Sequence, residues 1–440
     1  MKQNFFASGA LSVASHLARW IGYITLLSVA TGSLVALFLW LLDRVTLLRW
    51  QHPWLLYLLP VAGVAIYFVY KLWGKNSAAG NNLIINELHT PGAGIPTRMG
   101  PLVLVTTIVT HLFGGSAGRE GTALQIGGSI AHRIARWLGL SIPHAQLLLL
   151  TGIAAGFGAV FGTPLTGAIF ALEVVTVGRI RHHALLPCLL ASVLADATCT
   201  AWGIHHTSYH IAPGAISSLL SVRLTDIGKI TLAGAVFGIV GYLFAWLTEQ
   251  IRHHSHTLIP RHQWLIPALG GLLIIALTYI CGTTDYLGIG VTASTPHGVS
   301  IVNAFQPSGV HTFSWLWKLL FTAITLGMGF KGGEVTPLFF IGAALGNTLA
   351  PLLHLPPDLL AGLGFIAVFA AATNTPFAST LMGVELFGGQ YVLYYAVACY
   401  AAYYCSGHSS IYGTQRIAIN KYTGQPTHTP HQDIPMAKDM

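Results

Sequence analysis

Long apolar runs separated by short polar stretches dominate this chain. Segments 20–42 and 54–73 each reach the roughly 20 residues that an α-helix needs to cross a bilayer. Segments 230–247 and 265–282 are similar, whereas segment 147–162 is apolar but shorter. The first run is too long for a cleavable signal peptide, and further spans follow it. The pattern therefore predicts several membrane-spanning helices.

Composition extends this prediction to the whole chain. Hydrophobic residues make up 53% of the 440 residues and charged residues only 8%, against about 25% charged residues in a typical soluble domain. So few charges cannot cover the surface of a soluble protein, and lipid must be the main solvent. We predict an all-α polytopic membrane protein with a single membrane domain.

The net charge of +8 has an ordinary explanation in such a protein. Basic residues such as Arg44, Arg49, Lys71 and Arg252 stand at the ends of the apolar runs. Positive residues at these positions fix topology or extend toward the membrane interface. The expected partner is therefore the lipid bilayer, and we do not expect binding to nucleic acid.

The residues that usually hold metals or form disulfides show no organised pattern. The five cysteines include no C-x-x-C pair, and the 21 histidines include no H-E-x-x-H motif. A membrane-embedded enzyme would need a nucleophile–base pair or metal ligands on facing helices. The sequence offers neither set, so we predict no metal, no cofactor and no enzyme activity.

An internal repeat is visible in the second part of each half of the chain. Segment 157–173 aligns with segment 369–385, with a Thr-Pro pair and a closing glutamate in register. The two closing glutamates are Glu173 and Glu385. We interpret them as structural, hydrogen-bonded residues; a role in transport is the alternative.

A second pair of segments aligns just upstream of each of these. Segment 118–128 matches segment 333–343, with Gly118 opposite Gly333 and Gly127 opposite Gly342. The chain is therefore read as two related halves, whose approximate bounds are 15–215 and 220–415.

Two such halves are typical of transporters, in which discontinuous helices meet near the midplane at the repeat interface. Glycine and proline within apolar runs predict where helices break, and broken backbone at membrane depth is tolerated where it is buried in protein or lines a cavity. The predicted breaks are Gly114–Gly121, Gly158–Pro164, Gly327–Pro337 and Asn374–Pro376. We expect all four to lie together at the pseudo-twofold axis.

Each break starts a helix, and a helix start is a potential anion site. Its first N–H groups lack internal partners, and the helix dipole adds partial positive charge there. Segments 162–164, 334–337 and 374–376 read as helix starts because a polar residue precedes a proline and an apolar run. Several such ends at one point would bind an anion inside the membrane. The alternative is a bundle with ordinary kinks and caps.

Glu120 stands in the first of these breaks, next to Arg119. An ionisable residue within a membrane segment is a functional candidate. Its carboxylate would occupy the same helix-end donors as a dissolved anion, and protonation would release it. An ion pair between Arg119 and Glu120 is the alternative, but adjacent residues on a helix do not face each other.

At these residues the sequence resembles the CLC family of chloride channels and anion/proton antiporters, over about residues 20–417. The segments that carry the resemblance are GNNLI at 80–84, GREGT at 118–122, FGTPLTG at 161–167, GGEVTP at 332–337 and SIYGTQ at 410–415.

The departures from the usual family pattern resemble the fluoride/proton antiporter branch, whose members carry GREGT and GGEVTP. Asn81 stands in place of a serine and Thr122 in place of a proline. Glu334 and Val335 replace an apolar Ile-Phe pair, and Val174 stands where chloride/proton antiporters have an inner glutamate.

The resemblance implies a fold of two inverted-topology repeats with broken and tilted helices. It implies that Glu120 is a gating glutamate, which alternates with the anion and carries the proton. Glu334 would be a branch-specific acid of the proton or inner-gate machinery. The residues implied in anion binding are Asn81, Gly118, Arg119, Gly121, Val335, Thr336 and Tyr412.

Within this set, Asn81 and Tyr412 would line the inner anion path, while the N–H groups of Val335 and Thr336 would coordinate a central anion. The Asn-Asn pair leaves open whether Asn81 or Asn82 points into the path. Thr336 also reads as a possible helix N-cap, which is compatible with anion binding.

The leading hypothesis is a fluoride/proton antiporter that exports fluoride from the cytoplasm. Fluoride is small and tightly hydrated, so its site needs dense hydrogen-bond donors in place of water. A chloride/proton antiporter or a passive chloride channel of the same fold is the alternative. The resemblance further implies a homodimer in the cell (inner) membrane. We expect residues 1–417 to form the transmembrane domain and 418–440 a polar tail, without CBS domains.

Overall fold

The computed structural model describes residues 2–212 and 223–427, and this part of the chain is mostly helical. Its α-helices are α1 Lys2–Gln51, α2 Leu59–Val69, α3 Asn81–His89, α4 Met99–Leu112, α5 Glu120–Trp137, α6 Ile142–Phe161, α7 Pro164–Glu173, α8 Leu185–Ala201, α9 Leu224–Leu258, α10 Leu265–Cys281, α11 Ile301–Ala304, α12 Ser314–Gly327, α13 Val335–Leu353, α14 Pro357–Thr373, α15 Pro376–Phe387 and α16 Val392–Cys405. Two short strands, β1 Thr176–Val177 and β2 Arg416–Ile417, pair in parallel.

Six helical segments in the described residues are long and apolar enough to cross a bilayer. They are Ala14–Gln51, Pro53–Ala79, Ile142–Phe161, His182–Ala201, Leu224–Leu258 and Val335–Leu353. They include the predicted spans except segment 265–282, which forms the shorter α10. Large apolar side chains such as Leu72 and Leu224 are exposed on these helices. An apolar exterior of this kind suits lipid, and the protein is an integral membrane protein.

The predicted helix breaks have a clear local cause. Gly162, with φ of 69°, ends α6, and Asn374, with φ of 58°, ends α14 at the equivalent place in the second half. Glycine and asparagine adopt this left-handed conformation most readily. Pro164 and Pro376 then start the next helices, where a missing N–H costs nothing.

The two halves pack their helices in the same way. Gly127 on α5 faces Gly152 on α6, and Gly342 on α13 faces Gly364 on α14. A Cβ at any of these four positions would overlap with backbone of the facing helix. Small residues let membrane helices approach closely. Since Gly127 and Gly342 are equivalent in the sequence alignment, these contacts support the two-repeat interpretation.

The four breaks meet in two pairs rather than at one point. The break before α5 joins the break before α13, because Gly118 and Gly333 form an antiparallel bridge. The breaks before α7 and α15 instead place those two helices side by side. The expectation of a single convergence of all four breaks is therefore corrected.

The starts of α7 and α15 are capped by glutamates of the opposite half. Glu173 accepts hydrogen bonds from the N–H groups of Phe377 and Ala378, at 3.1 and 2.8 Å. These donors are the free N–H groups of the first turn of α15, so the carboxylate satisfies them in place of an anion.

Glu385 makes the reciprocal contact with the start of α7. Its carboxylate accepts from the N–H groups of Leu165 and Thr166, both at 2.8 Å, and from the Thr166 hydroxyl at 2.6 Å. This exchange agrees with the structural interpretation of the paired glutamates. The N–H donors at the starts of α7 and α15 are therefore already occupied by carboxylates.

The chain after α16 folds back onto the membrane domain. β2 lies beside β1, and the buried Lys421 donates to the Asn374 side chain and to the Tyr403 carbonyl. The polar tail expected from residue 418 is therefore packed against the domain as far as Thr427. The rest of that tail, including the histidine-rich stretch from 428, lies outside the described residues.

We expect Glu385→Ala to lower the thermal stability of the purified protein. The substitution leaves two N–H groups and a hydroxyl at the start of α7 without their charged acceptor. Each hydrogen bond to a charged group contributes about 1.5–3 kcal/mol. Glu385→Gln, which keeps one acceptor oxygen, should fall between wild type and Glu385→Ala. Thermal unfolding in detergent measures the difference. Glu249→Ala, at an exposed position, is the control; equal melting temperatures for both alanine variants would contradict the capping role.

Candidate anion site

The candidate site lies where the first turns of α5 and α13 face each other. Gly118 and Gly333, the residues just before these turns, exchange two backbone hydrogen bonds of 2.7 and 2.9 Å. Because the two glycines are equivalent in the repeat, this bridge marks the local two-fold relation between the halves. It brings Glu120, the first residue of α5, against the free N–H groups of α13.

The Glu120 carboxylate occupies those free donors. Oε2 accepts hydrogen bonds from Arg119 N at 2.9 Å, Thr336 N at 3.2 Å and Thr336 Oγ1 at 2.9 Å. Oε1 accepts from Val335 N at 2.5 Å. The side chain is only 1% exposed. The carboxylate thus takes the position of an anion at a helix N-terminus.

This geometry decides between the two interpretations of Glu120. Among residues 2–212 and 223–427, neither Glu120 nor Arg119 takes part in an ion pair. The Arg119 contribution is its backbone N–H, whereas its side-chain Nε is buried without a hydrogen-bond partner. The Glu120 carboxylate therefore accepts hydrogen bonds from helix-start donors and does not pair with the neighbouring guanidinium.

Glycine is required on both sides of the carboxylate. A Cβ on Gly118 would lie 2.7 Å from each Glu120 carboxylate oxygen, and a Cβ on Gly333 would overlap with the same carboxylate. Gly118 therefore contributes to the site by leaving room for the carboxylate, since it has no side chain. Gly121 has a similar role toward Asn81, whose Nδ2 would lie 3.0 Å from an added Cβ.

Thr336 and Glu334 differ in their positions at the start of α13. Glu334 is the N-cap residue, although its side chain makes no capping hydrogen bond. Thr336 is the second helical residue, so the N-cap alternative for it was wrong; its hydroxyl instead donates to Glu120. The half-buried Glu334 carboxylate lies within electrostatic range of Glu120 and of Arg252 on α9.

Asn81 and Tyr412 line one cavity, here named the Tyr412 cavity. Its other walls are Ile84, Ile85, Leu124, Ile153 and Val174. The Asn82 side chain points toward Thr414 instead, because its Oδ1 accepts a hydrogen bond from the Thr414 hydroxyl at 3.3 Å. Of the two adjacent asparagines, Asn81 is therefore the one that lines this cavity. Val174, which stands where the sequence pattern of chloride/proton antiporters has an inner glutamate, gives this cavity an apolar wall.

A second cavity, the Tyr209 cavity, shares Thr336 with the candidate site. Its walls are Arg119, Phe161, His206, Thr207, Tyr209, Val291, Thr336, Phe339, Phe365 and Leu386. Sequence reasoning missed its aromatic residues because phenylalanines within apolar runs look like ordinary core. Glu120 and Thr336 thus lie between one cavity lined by Asn81 and Tyr412 and another lined by Arg119.

Polar side chains hold the loop that leads into Glu120. His111 bonds to the Ala117 carbonyl at 3.0 Å, and Ser116 bonds to Thr322 and Thr325 on α12. Thr122, where the family usually has proline, shares a 2.8 Å hydroxyl hydrogen bond with Thr107 on α4. These buried contacts keep the glycine-rich loop in one conformation and so fix where the α5 N-terminus points.

The comparison with protein families agrees with this architecture. The family described as voltage gated chloride channel matches residues 62–407, which is most of the chain. The protein is a member of the CLC family.

Similar proteins support this assignment over nearly the whole chain. A chloride/fluoride channel protein of Pseudomonas syringae pv. tomato is 46% identical over 94% of this CLC chain and 89% of its own length. The crystal structure of a CLC-type fluoride/proton antiporter superposes with a TM-score of 0.85, at 36% identity, over 91% of this chain and 98% of that one. A slow cyanobacterial Cl⁻/H⁺ antiporter, at 20% identity over 88% of this chain and 94% of its own, shares the fold with a TM-score of 0.76.

For this CLC chain, the structure brings most of the sequence-predicted site residues together. Gly118, Arg119, Glu120, Val335 and Thr336 meet at one point. Gly121 and Asn81 are adjacent to it, and Tyr412 lies across the Tyr412 cavity. Glu334 is next to the site but makes no hydrogen bond to Glu120 within the described residues. The transport roles of these residues remain predictions.

Proposed function

We propose that this protein is a proton-coupled fluoride antiporter that exports fluoride from the cytoplasm. The observation that carries the proposal is the convergence of three donors on a single atom, Oε2 of Glu120. Arg119 N, Thr336 N and Thr336 Oγ1 all lie within 3.2 Å of it. A carboxylate oxygen stands in here for a small anion of similar size and charge.

The donor set suits fluoride better than a larger halide. Fluoride holds its water strongly, so a site must replace that water with several short hydrogen bonds. Two backbone N–H groups and one hydroxyl at 2.9–3.2 Å form such a set, and it is almost fully shielded from solvent. Chloride is larger, so it would need longer contacts and would push the first turns of α5 and α13 apart.

Exchange follows from competition between Glu120 and the anion for the same donors. The ionised carboxylate fills the site, so fluoride enters only after the carboxylate leaves. Protonation of Glu120 removes its negative charge and weakens its hold on Val335 N and Thr336 N, since charged acceptors bind more strongly than neutral ones. The proton then travels on the Glu120 carboxyl in one direction while fluoride crosses in the other.

The neighbouring polar residues receive supporting roles in this proposal. Asn81 and Tyr412 would offer amide and hydroxyl donors to fluoride in the Tyr412 cavity. Arg119 would attract the anion in the Tyr209 cavity, because its Nε is buried without a partner. Glu334, which is near Glu120, would be the branch-specific acid of the proton or inner-gate machinery.

The names of similar proteins support fluoride as the substrate, but they support two modes of transport. The structural relative is a fluoride/proton antiporter, whereas the Pseudomonas syringae relative is named a chloride/fluoride channel protein. A passive channel is therefore the second candidate. We further propose that the protein is a homodimer in the cell membrane, as the resemblance to the family implies.

Purified protein in liposomes loaded with equal fluoride and chloride should release fluoride much faster than chloride. A fluoride electrode and a chloride electrode measure the two initial rates, and an external pH probe measures proton uptake. Fluoride release that drives proton uptake against a pH gradient supports the antiporter. Fluoride release without proton movement supports the channel, and equal chloride flux contradicts the fluoride proposal.

Glu120→Gln should abolish proton movement in the same assay. Glutamine keeps the size and one acceptor oxygen but cannot take up or release a proton. Fluoride flux should either stop or continue as passive leak, depending on whether the neutral side chain still blocks the donors. Glu249→Gln, at an exposed position, is the control and should match wild type. Unchanged proton-coupled flux in Glu120→Gln would remove Glu120 from its proposed role.

Glu334→Ile should lower the ratio of fluoride to chloride flux, by about tenfold if the acid contributes roughly 1.4 kcal/mol to the discrimination between the two ions. The substitution restores the apolar residue usual in the family and removes an acid within electrostatic range of Glu120. The same electrode assay gives the ratio, and a melting curve checks folding. Transport and selectivity that both remain at wild-type values would show that Glu334 has no specific role.

A further inference from the structure

A separate cavity of about 280 Å³ lies beside the β1–β2 pair. Three arginines line it: Arg179, Arg181 and Arg416. The remaining walls are Leu88, His89, Gln146, Leu172, Val175, Thr176 and Ala418. We call it the three-arginine cavity. None of its wall residues belongs to the anion site around Glu120.

The lining is basic: the described residues that line the cavity include three arginines and no aspartate or glutamate. Burial and the neighbouring Arg179 guanidinium lower the pKa of Arg181. The Arg181 guanidinium reaches the Leu88 carbonyl at 3.4 Å, a long contact that leaves donor capacity on its other nitrogens. Guanidinium groups repel each other when they share a cavity without an acid, so an anion bound among them would be stabilised.

Size and chemistry restrict the anion that fits. A water molecule takes up about 30 Å³, so the cavity exceeds the room that a single halide ion needs. Arginine presents a planar fork of donors that matches phosphate oxygens in pairs. Three such forks around one space can satisfy a tetrahedral group with several charged oxygens, whereas a spherical halide could not contact all three.

We propose that the three-arginine cavity binds a phosphate group, carried either by a soluble phosphate compound or by an anionic phospholipid headgroup. The site lies outside the proposed fluoride path and does not depend on that function. Three chain segments nevertheless line both the three-arginine cavity and the Tyr412 cavity of the proposed path.

Apart from Gln146 on α6, each wall residue of the three-arginine cavity lies on one of three segments that also line the Tyr412 cavity. α3 starts at Asn81 and ends at His89, whose ring bonds to the Val175 carbonyl at 3.0 Å. Val174 lines one cavity and Val175 the other. The same holds for the segment from Tyr412 to Arg416. A phosphate held by the arginines would therefore lie against all three segments.

The first experiment tests binding of soluble phosphate to the full-length protein in a neutral detergent. Isothermal titration with inorganic phosphate and with pyrophosphate should show binding that weakens at high salt. Arg181→Gln and Arg416→Gln should each raise Kd by about tenfold or more, as expected for the loss of one charge-assisted contact. Arg261→Gln, an exposed arginine on the loop before α10, is the charge-matched control and should bind like wild type.

The second experiment tests the lipid headgroup. Wild type and the same variants are placed in nanodiscs of phosphatidylcholine, with or without phosphatidylglycerol, and their melting temperatures are compared. Stabilisation by phosphatidylglycerol in wild type and Arg261→Gln, but not in Arg181→Gln or Arg416→Gln, supports a headgroup site. Arg179→Gln, at an exposed position, provides a variant that should fold if Arg416→Gln does not.

The outcomes separate the two sources and can overturn the proposal. Arginine-dependent titration signals with phosphate or pyrophosphate indicate a soluble ligand. An arginine-dependent effect of phosphatidylglycerol alone indicates a lipid. The proposal is wrong if neither probe distinguishes the cavity variants from Arg261→Gln.

Discussion

The contact on which the candidate site depends is that of the Glu120 carboxylate with the N-terminal turn of α13. A buried carboxylate is stable only if strong donors replace its water, and a helix start supplies them without a counter-cation. The Gly118–Gly333 bridge sets the distance between the two turns, and the absence of side chains at both glycines leaves room for the carboxylate. Loop contacts from His111, Ser116 and Thr122 hold that arrangement in place.

The repeat produces two kinds of paired helix ends from one sequence pattern. At α7 and α15, a glutamate from the opposite half accepts hydrogen bonds from the N–H groups of each helix start, so those donors are occupied. At α5 and α13 only Glu120 accepts hydrogen bonds from the helix starts, because Glu334 aligns with Arg119 in the repeat and its side chain makes no capping hydrogen bond. In the proposed function, this single carboxylate is the occupant that exchanges with the anion. The departure from symmetry is therefore what separates the candidate transport site from the structural caps.

Much of this arrangement could be predicted from the sequence because the relevant signals are local. Pro164, Pro376 and the glycines around Glu120 indicate helix starts directly, and the repeat aligns Gly118 with Gly333 before any coordinates are known. The phenylalanines of the Tyr209 cavity could not be predicted, since their apolar side chains look the same in a core and in a cavity wall. The meeting of Arg181 with Arg416 depends on a pair of two-residue strands, which are too short to leave a periodic pattern.

The exchanged glutamates have a mechanical consequence. Any sliding or rocking of one half against the other at α7 and α15 would break the five hydrogen bonds of Glu173 and Glu385 together. Many transporters with repeats expose their site to each side by moving one repeat against the other. In this protein the glutamate caps hold that interface together, and the backbone bridge between Gly118 and Gly333 adds a further contact across it. For the proposed transport, we therefore expect access to either side to change through small groups near the site, with Glu120 as the proposed gate.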